Sequence, residues 1–501
     1  MNHGKICISI CAKTASELFE KISRAEELAD VIEVRFDCLG HGEVDIALDG
    51  LPEISKQYLI TFRPSEQGGK RVLPQSNRIM FWKRAVNALA RHDFLADQEA
   101  DLGFPFGFNS GRVIRSHHFF GESPEDLRST YFELADINGE IVKVAVDCPD
   151  ITDTIKVWRL LESAEKNEGH VIPVAMGEAG KWTRILGPAF GSYLTYASLE
   201  MGAETAAGQI SAEDLVEVFR VKELDRDTRV YGIIAGNTRY SVSPWLHNTA
   251  FRARKLNSVF VPLQVADLDE FIRRMVKPGT REIELNFAGF SVTNPHKQAI
   301  IPYLSEIDET ARKIGAVNTV SIGDGKLLGF NTDAPGFIAP LKSVFGDLNG
   351  ARVAVAGAGG AARACIFALR QEGARVVVLA RDTRKAQPLG DEFGITVEQM
   401  PSDHHPFETD ILVNTTPLGT KGDAVDESIA LADQLSGVKL VYDLVYNPAQ
   451  TRLLSEANLA GVPAINGLEM LIAQGAKQFE IWTGEAAPVA AMAVAVKKRL
   501  Q

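Results

Sequence analysis

The sequence predicts an α/β protein, a (β/α)8 TIM barrel followed by a two-lobed α/β region in which one lobe has a Rossmann fold. Three observations predict it. Eight short β-rich runs alternate with amphipathic helical stretches over roughly the first 220 residues. The polar, charged segment 219–229 then interrupts this pattern. From residue 351 onwards a strand is followed by a glycine-rich turn and a helix.

The eight β-rich runs are spaced as strands joined by helical crossovers. Such crossovers require parallel pairing, and eight strand–helix units close into a barrel. A flat doubly wound sheet is the alternative that the pattern leaves open. The least typical run is the fourth, which contains two acidic residues. The runs are Ile6–Ile10, Val31–Phe36, Tyr58–Arg63, Phe94–Glu99, Arg112–His117, Ile141–Asp147, Val171–Met176 and Leu194–Leu199.

Changes in composition predict three domains. We expect the barrel over residues 1–222, a first lobe over 229–335 and the Rossmann lobe over 336–470. The C-terminal stretch 471–501 has a helical period, and we expect it to pack back on the first lobe.

Composition and charge exclude several classes of protein. A net charge of -12 over 501 residues argues against a nucleic-acid partner, because such binding relies on Lys and Arg at the phosphates. We find no leader segment and no apolar run that could cross a bilayer, so we expect a cytoplasmic monomer or small homo-oligomer with no membrane partner. The scattered cysteines predict neither a disulfide framework nor a metal site: Cys7, Cys11, Cys38, Cys148 and Cys365.

Several charged residues fall at positions that face the predicted barrel interior. Glu33 and Arg35 lie two apart in the second run, while Arg63 and His117 end the third and fifth runs. Lys143 lies among apolar residues in the sixth. Burying these charges is costly unless they pair or hold a ligand. Chemistry at the carboxyl ends of barrel strands is therefore indicated.

A lysine in such a place is a possible Schiff-base nucleophile, because desolvation and nearby cations favour the neutral amine. His117 has an intrinsic pKa suited to removing the proton that an iminium makes acidic. Taken one by one, these residues also fit a partly exposed strand lysine, an ordinary strand end and a structural ion-pair network. The joint pattern favours catalysis.

Six stretches of the first region resemble type I 3-dehydroquinate dehydratase: IEVRFD (32–37), LITFRPSEQGG (59–69), VIRSHHF (113–119), VKVAVDCPD (142–150), TRILG (183–187) and AAGQI (206–210). The resemblance implies that Lys143 forms an imine with the ketone of 3-dehydroquinate. His117 would remove the adjacent proton and then protonate the departing hydroxyl. Arg184 would hold the substrate carboxylate. The resemblance assigns the remaining substrate contacts to Glu33, Arg35, Arg63, Thr205 and Gln209, with Met176 and Phe190 as the apolar side.

Two positions depart from that family. Gln67 stands where the family usually has a glutamate, and a glutamine cannot act as an acid or base. Thr205 stands where a serine is common, which keeps the hydroxyl.

The strand before residue 357 leads into a turn that could cradle a pyrophosphate at a helix N-terminus. The turn residues are Gly357, Ala358, Gly359, Gly360 and Ala361. After the next strand, Arg381 and Arg384 occur where an NAD site would have a carboxylate, which favours the 2′-phosphate of NADP. Asp382 could contact the ribose and weaken this preference. A tight turn and solvated surface arginines are the open alternatives.

The 229–335 segment collects hydroxyls, amides and a Lys/Asp pair, which suit a small polyhydroxylated acid. From about residue 230 to the C-terminus the motifs resemble shikimate dehydrogenase, an enzyme whose second lobe binds NADP. The resemblance implies that Lys297 and Asp333 are the catalytic pair, and that Asn414, Thr415 and Gly467 join the turn and the arginines in cofactor binding. It assigns substrate binding to Ser241, Ser243, Thr293, Asn318, Tyr446 and Gln474.

The order of the two regions is similar to that of bifunctional enzymes known from plants. The implied small-molecule substrates are 3-dehydroquinate, 3-dehydroshikimate and shikimate, with NADP as cofactor. Two other hypotheses stay open here. One is a metabolite sensor that binds these compounds without turnover, and the other is an oxidoreductase that prefers quinate and NAD.

Overall fold

The fold was analysed in a computed structural model, which describes residues 2, 4–102, 113–136, 141–166, 169–401 and 405–500. They form two compact units, one of residues 1–230 and 257–286 and the other of 231–256 and 287–501. The first break lies next to the predicted boundary at 219–229. The return of residues 257–286 to the first unit was not predicted. The division into three domains stays a prediction.

The first part of the chain alternates strands and helices. Its strands are β1 (Lys5–Ile10), β2 (Val31–Arg35), β3 (Gln57–Thr61), β4 (Phe94–Glu99), β5 (Val113–Phe119), β6 (Ile141–Asp147), β7 (His170–Met176), β8 (Leu194–Ser198) and β9 (Ile210–Ser211). Its helices are α1 (Ala15–Ala25), α2 (Glu43–Gly50), α3 (Gln75–Ala88), α4 (Arg128–Ala135), α5 (Thr154–Lys166) and α6 (Lys181–Leu186). All eight predicted strands are present, including the least typical one. Residue 112 of the predicted fifth strand lies outside the described residues.

These strands form one parallel sheet in the order β7-β6-β5-β4-β3-β2-β1-β8-β9. This is the neighbour order of a (β/α)8 barrel. Within the described residues β7 and β8 share no ladder, but a backbone hydrogen bond from Tyr193 N to Val171 O, 2.9 Å long, joins their starts. The predicted barrel is confirmed, although its sheet is not continuously paired.

The later part of the chain contributes two further sets of elements. Its strands are β10 (Arg229–Ala235), β11 (Ser258–Gln264), β12 (Phe287–Val292), β13 (Glu306–Ile307), β14 (Thr319–Gly323), β15 (Lys326–Phe330), β16 (Arg352–Ala356), β17 (Arg375–Ala380), β18 (Thr396–Gln399), β19 (Ile411–Asn414), β20 (Leu440–Asp443) and β21 (Ala464–Ile465). Its helices are α7 (Ser243–Ala253), α8 (Leu268–Phe271), α9 (His296–Ala299), α10 (Glu309–Ile314), α11 (Asp333–Phe345), α12 (Gly360–Gln371), α13 (Thr383–Phe393), α14 (Arg452–Leu459), α15 (Leu468–Thr483) and α16 (Val489–Leu500).

The second unit contains two sheets. One includes the neighbours β10-β12-β14-β15-β13, and the other is the parallel Rossmann sheet β18-β17-β16-β19-β20-β21. Helix α15 packs against α7 and α11, and α16 packs against α7. The C-terminal helices therefore pack on α7 and α11. Their assignment to the first lobe stays a prediction, like the lobe itself.

Candidate active sites

A polar layer lines the interior of the barrel. It consists of six buried residues: Ser9, Glu33, Thr61, Asp97, Ser116 and Lys143. Each lies two positions after a member of one apolar cluster, which includes Cys7, Val31, Leu59, Leu95, Ile114 and Ile141. Because side chains alternate along a strand, the polar layer faces the same interior as this cluster. Apolar residues thus close one end of the barrel beneath a reactive polar layer.

Asp97 is the centre of this layer. Its Oδ2 accepts hydrogen bonds from Lys143 Nζ at 2.9 Å and Arg63 Nη2 at 2.5 Å. Its Oδ1 accepts one from Ser116 Oγ at 2.5 Å. Burial acts to raise the pKa of Asp97, but the cations of Arg63 and Lys143 lower it to about 2. The carboxylate is therefore ionised and fixes both cations inside the barrel.

Lys143 lies inside the barrel, as predicted. Its Nζ is 4.4 Å from the centroid of the Tyr196 ring. Burial lowers the pKa of Lys143 from its ordinary value, and Asp97 only partly opposes this effect. A depressed pKa brings the amine closer to the neutral form that a nucleophile requires.

The predicted histidine is corrected by the structure. Ile114 belongs to the apolar cluster of the interior, so Ser116 and His118, two and four positions later in β5, face the interior too. His117 faces the other side, where its ring lies 4.5 Å from that of Phe119. The structure therefore does not bring His117 to Lys143. The imidazole that it places beside the polar layer is that of His118.

His118 is held by groups on the third strand and its loop. Its Nδ1 lies 2.9 Å from Arg63 Nη1, and its backbone N donates to Gln67 Oε1 at 2.9 Å. Burial, followed by the charges of Arg63 and Lys143, holds the pKa of His118 well below its usual range. The ring is thus neutral near pH 7, the form in which it can accept a proton.

The other side of the polar layer is a hydrogen-bonded group of predicted binding residues. Glu33 accepts from Thr61 Oγ1 at 2.8 Å and also from Ser9 Oγ. Thr205 Oγ1 donates to Ser9 Oγ at 2.8 Å, and Gln209 Oε1 accepts from the Thr205 N at 2.8 Å. The structure therefore brings together Glu33, Thr205 and Gln209 as predicted.

Two predicted arginines differ in their pairing. Arg35 is held by Asp37, with contacts of 2.8 and 2.7 Å. Arg184 is buried, its Nη2 donates to Ala207 O at 3.3 Å, and its Nε has no hydrogen-bond partner among the described residues. Burial lowers the pKa of Arg184 to about 10. A buried guanidinium with an open donor is suited to an anionic ligand.

The two residues predicted as the apolar side have different neighbours. Met176 belongs to the apolar cluster of the barrel interior. Phe190 packs on Trp158, with their ring centroids 4.8 Å apart.

The second unit contains the predicted Lys/Asp pair. Lys297 Nζ donates to Asp333 Oδ2 at 2.6 Å. Asn318 Nδ2 donates to the other oxygen, Oδ1, at 2.7 Å. It also lies 3.4 Å from Gln474 Oε1. Thus four of the predicted residues form one polar cluster at the start of α11.

The remaining predicted substrate residues lie at the ends of neighbouring elements. Ser241 Oγ accepts from the Ser243 N at 3.3 Å, at the start of α7. Thr293 follows β12, and its backbone N donates to Ile234 O at 3.0 Å. Tyr446 is half-buried in the turn after β20, and no described hydrogen bond joins its side chain to the Lys297–Asp333 pair. Ser241 and Ser243 are therefore adjacent, whereas the substrate contacts predicted for Thr293 and Tyr446 stay predictions.

The glycine turn after β16 fits a dinucleotide. Gly357 has φ +108°, and a Cβ there would lie 2.6 Å from Thr415 Oγ1, so only glycine fits without strain. A Cβ on Gly360 would lie 2.9 Å from Lys297 Cβ. The turn and the N-terminus of α12 therefore adjoin Lys297, as hydride transfer between a cofactor and a substrate near the Lys297–Asp333 pair would require.

The end of β17 fits the 2′-phosphate of NADP. Arg381 and Arg384 are exposed, and neither has an ion pair among the described residues. Asp382 caps α13, accepting from the backbone N of Arg384 at 3.1 Å and of Lys385 at 3.3 Å. One carboxylate oxygen, Oδ1, is therefore used to cap the helix. The ribose contact considered above stays a prediction.

The last predicted cofactor residues shape the backbone around this site. Asn414 donates to Asp443 Oδ1 at 2.9 Å and accepts from the Thr416 N at 3.0 Å, so its amide is used within the protein. Thr415 Oγ1 donates to Ala356 O at 2.7 Å. A Cβ on Gly467 would lie 2.0 Å from Leu444 O. The close approach of these segments requires glycine there.

The sequence reasoning missed Asp97, Ser116 and His118. Counting by two along β4 from Leu95 gives Asp97, and along β5 from Ile114 it gives Ser116 and His118, because alternate residues of a strand share one face. The described residues contain no cluster of His, Cys, Asp or Glu that could hold a metal ion. No described helix is long and apolar enough to cross a membrane.

Comparison with known families decides the relationship. Residues 6–226 match the family model of type I 3-dehydroquinase. Residues 233–320 match the shikimate dehydrogenase substrate binding domain, and residues 467–497 match the shikimate 5′-dehydrogenase C-terminal domain. The chain is 33% identical to a bifunctional 3-dehydroquinate dehydratase/shikimate dehydrogenase of Arabidopsis thaliana, over 97% of this chain and 83% of the relative. The chain belongs to this bifunctional family.

Relatives of the second half alone support the assignment. A shikimate dehydrogenase (NADP(+)) of Methanopyrus kandleri is 39% identical over 56% of this chain and 98% of its own. A shikimate dehydrogenase crystallised in complex with NADP+ matches with a TM-score of 0.50 and 35% identity, covering 56% of this chain and 98% of that one. These findings confirm the predicted family, its two enzyme domains and NADP as cofactor. They favour an enzyme over a metabolite sensor.

Proposed function

We propose that this bifunctional dehydratase/dehydrogenase converts 3-dehydroquinate to 3-dehydroshikimate in its first unit, through an imine at Lys143. The second unit reduces 3-dehydroshikimate to shikimate with NADPH. The observation that carries the first half is the buried Lys143 amine between Asp97 and Tyr196. The open, buried guanidinium of Arg184 completes the site by offering a partner for the substrate carboxylate.

Imine formation begins when Lys143 loses a proton and its lone pair attacks the substrate ketone carbon. The carbinolamine then expels its oxygen as water, leaving a C=N bond to Nζ. Asp97 holds the amine at a fixed position inside the barrel during this step. The positive charge that develops on the iminium nitrogen is stabilised by the same carboxylate.

Elimination follows at the carbon next to the imine. His118 removes the proton, and the electron pair passes into the iminium to give an enamine. Return of that pair expels the β-hydroxyl, which takes the proton from His118 and leaves as water. Hydrolysis of the imine releases 3-dehydroshikimate and the free lysine. A neutral imidazole is needed at the start, and the depressed pKa of His118 supplies it.

The imine is tested by reduction with borohydride in the presence of 3-dehydroquinate. We expect mass spectrometry to find a covalent adduct on Lys143 in the wild type. The variant Lys143→Met should give no adduct. An adduct on another residue, or none in an active wild type, contradicts this half of the proposal.

In the second unit the residues of the glycine turn, with Arg381 and Arg384, would hold the pyrophosphate and 2′-phosphate of NADPH. The bound cofactor supplies the hydride that reduces the carbonyl. Lys297 donates a proton to the carbonyl oxygen, and Asp333 orients its ammonium at 2.6 Å. Ser241, Ser243 and Asn318 provide hydroxyl and amide groups for a polyhydroxylated acid.

The reductase half is tested with 3-dehydroshikimate and NADPH. We expect oxidation of NADPH in the wild type, and a loss of about 10²–10⁴-fold in kcat for Lys297→Ala. Normal turnover by this variant would contradict the role of the amine. A cytoplasmic location and a monomeric or small oligomeric state stay predictions.

A further inference from the structure

A buried glutamine lies one helical turn beyond Gln474 on α15. Gln478 is 2% exposed. Its Nε2 donates to Asn318 O and to Thr319 Oγ1, both at 3.1 Å. Its Oε1 accepts from Ser291 Oγ at 2.7 Å and lies 3.2 Å from His247 Nε2. Both ends of the amide are thus fully engaged away from solvent.

These partners fix the direction of the hydrogen bonds. The carbonyl oxygen of Asn318 can only accept, so the amide nitrogen of Gln478 must face it. Its oxygen then faces His247, whose Nε2 must carry the proton. Turning the amide over would place two acceptors against each other.

The chain of hydrogen bonds continues to the catalytic pair. Thr319 Oγ1 donates to Asn318 Oδ1 at 2.8 Å. Asn318 Nδ2 in turn donates to Asp333 Oδ1 at 2.7 Å, and Lys297 Nζ donates to Oδ2 at 2.6 Å. The Asn318 amide is oriented by its oxygen, and its nitrogen holds the Asp333 carboxylate. A donor–acceptor sequence therefore runs without a break from His247 to Asp333.

We propose that Gln478 and Thr319 are positioning residues for the reduction in the second unit. Neither contacts the Lys297–Asp333 pair directly. Gln478 sets the Thr319 hydroxyl, which acts with the Thr332 N, 2.8 Å from Asn318 Oδ1, to point the Asn318 amide so that its nitrogen faces Asp333. The carboxylate then presents its other oxygen to Lys297. This inference rests on the function proposed above for Lys297 and Asp333.

A matched pair at residue 319 tests the proposal. Thr319→Val keeps the shape of the side chain and removes the hydroxyl, whereas Thr319→Ser keeps the hydroxyl. We expect Thr319→Val to lower kcat for 3-dehydroshikimate about tenfold, as loss of one buried hydrogen bond can cause. The KM for NADPH should stay unchanged, since Thr319 lies away from the glycine turn. Thr319→Ser should stay within about twofold of the wild type.

A second variant extends the test along the chain of hydrogen bonds. Gln478→Leu should lower kcat by a similar factor, and the double variant with Thr319→Val should be no worse than the poorer single variant, because both act through Asn318. Thermal unfolding of each variant shows whether it is folded. If Gln478→Leu does not fold, the comparison of Thr319→Val with Thr319→Ser still tests the proposal.

Three results overturn the proposal. The first is a Thr319→Val variant whose kcat equals that of the wild type. The second is an equal loss of kcat in Thr319→Ser and Thr319→Val. The third is a double variant whose loss of kcat is the product of the two single losses. A wild type without any reductase activity would instead contradict the proposed function. The two failures are therefore distinguishable.

Discussion

At the residue scale, two adjacent histidines have different environments. His118 lies 2.9 Å from a guanidinium inside the barrel, whereas His117 packs on Phe119 outside it. We expect His118→Ala to lower kcat for dehydration by about 10²–10⁴-fold, because a general base is lost. His117→Ala is the matched control and should stay within a few-fold. Steady-state kinetics with 3-dehydroquinate measures the kcat of both variants. A larger loss in His117→Ala than in His118→Ala would show that His117 is the base.

The environment of His118 also predicts a pH dependence. Burial and the cations of Arg63 and Lys143 depress the pKa of His118, so the neutral ring persists as pH falls through 6.5. The base is lost only below that value, on the acid side of its depressed pKa. We expect kcat/KM for dehydration to stay level from pH 7 to below pH 6.5. An acid limb centred at or above pH 6.5 would show that His118 titrates normally.

Arg381 predicts the choice of cofactor. The exposed guanidinium follows β17 and has no ion pair among the described residues. We expect Arg381→Ala to raise the KM for NADPH about tenfold or more, because a charged hydrogen bond to the phosphate is lost. The KM for NADH should change little. Arg375→Ala, at the other end of the same strand, is the control, and equal effects of Arg381→Ala on both cofactors would exclude a phosphate-binding role.

Residue roles were predictable where a motif and a strand face agreed. Lys143, Lys297 and Asp333 lie where the sequence indicated. His117 was chosen because the predicted fifth strand ended there, but alternation from the inward-facing Ile114 places His118 on the interior face and His117 on the opposite one. Asp97 was not recognised because its partners, Arg63 and Lys143, are 34 and 46 positions away in sequence. The alternation along β4 places Asp97 on the inward face, but nothing local signals that it pairs with these two residues.

At the element scale, a disulfide joins the segments that follow β1 and β2. Cys11 and Cys38 are bonded, at a sequence separation of 27. The prediction that the cysteines form no disulfide is therefore wrong for this pair. The spacing gave no signal because neither cysteine belongs to a motif, and only parallel pairing of β1 with β2 brings the two segments together.

The disulfide should stabilise the first unit by restricting its unfolded chain. We expect Cys11→Ser/Cys38→Ser to lower the free energy of unfolding by about 2–4 kcal/mol. Reduction should lower the unfolding midpoint of the wild type and leave that of the double variant unchanged. Denaturant unfolding with and without a reductant measures this. If reduction lowered the unfolding midpoint of the wild type and the double variant equally, the disulfide would not be the source of the stabilisation.

The alternation of strands and helices was sufficient to predict both α/β architectures. The alternation also identified β4 correctly. All six residues of this strand are buried, as expected for a parallel sheet that is covered on both faces, and its acidic residues do not prevent it from forming. The alternation did not predict that residues 257–286 belong to the first unit. That assignment depends on contacts such as Ala266 N with Asp150 Oδ2, at 3.0 Å, which no periodicity encodes.

At the scale of the whole molecule, Lys143 and Lys297, the two lysines proposed as catalytic, belong to different compact units of one chain. The product proposed for the first unit is the substrate proposed for the second. A single substitution should therefore abolish one activity and leave the other intact. Lys143→Met should abolish dehydration and leave the kcat for reduction of 3-dehydroshikimate unchanged, because no catalytic residue of the second unit is altered.

The most direct measurement supplies 3-dehydroquinate and NADPH to the purified chain in one vessel and follows NADPH absorbance and shikimate together. The wild type should produce one shikimate for each NADPH oxidised. Lys143→Met should produce none until 3-dehydroshikimate is added, and then proceed at the wild-type rate. Shikimate formed from 3-dehydroquinate by Lys143→Met, or no shikimate from an otherwise folded wild type, would contradict the account.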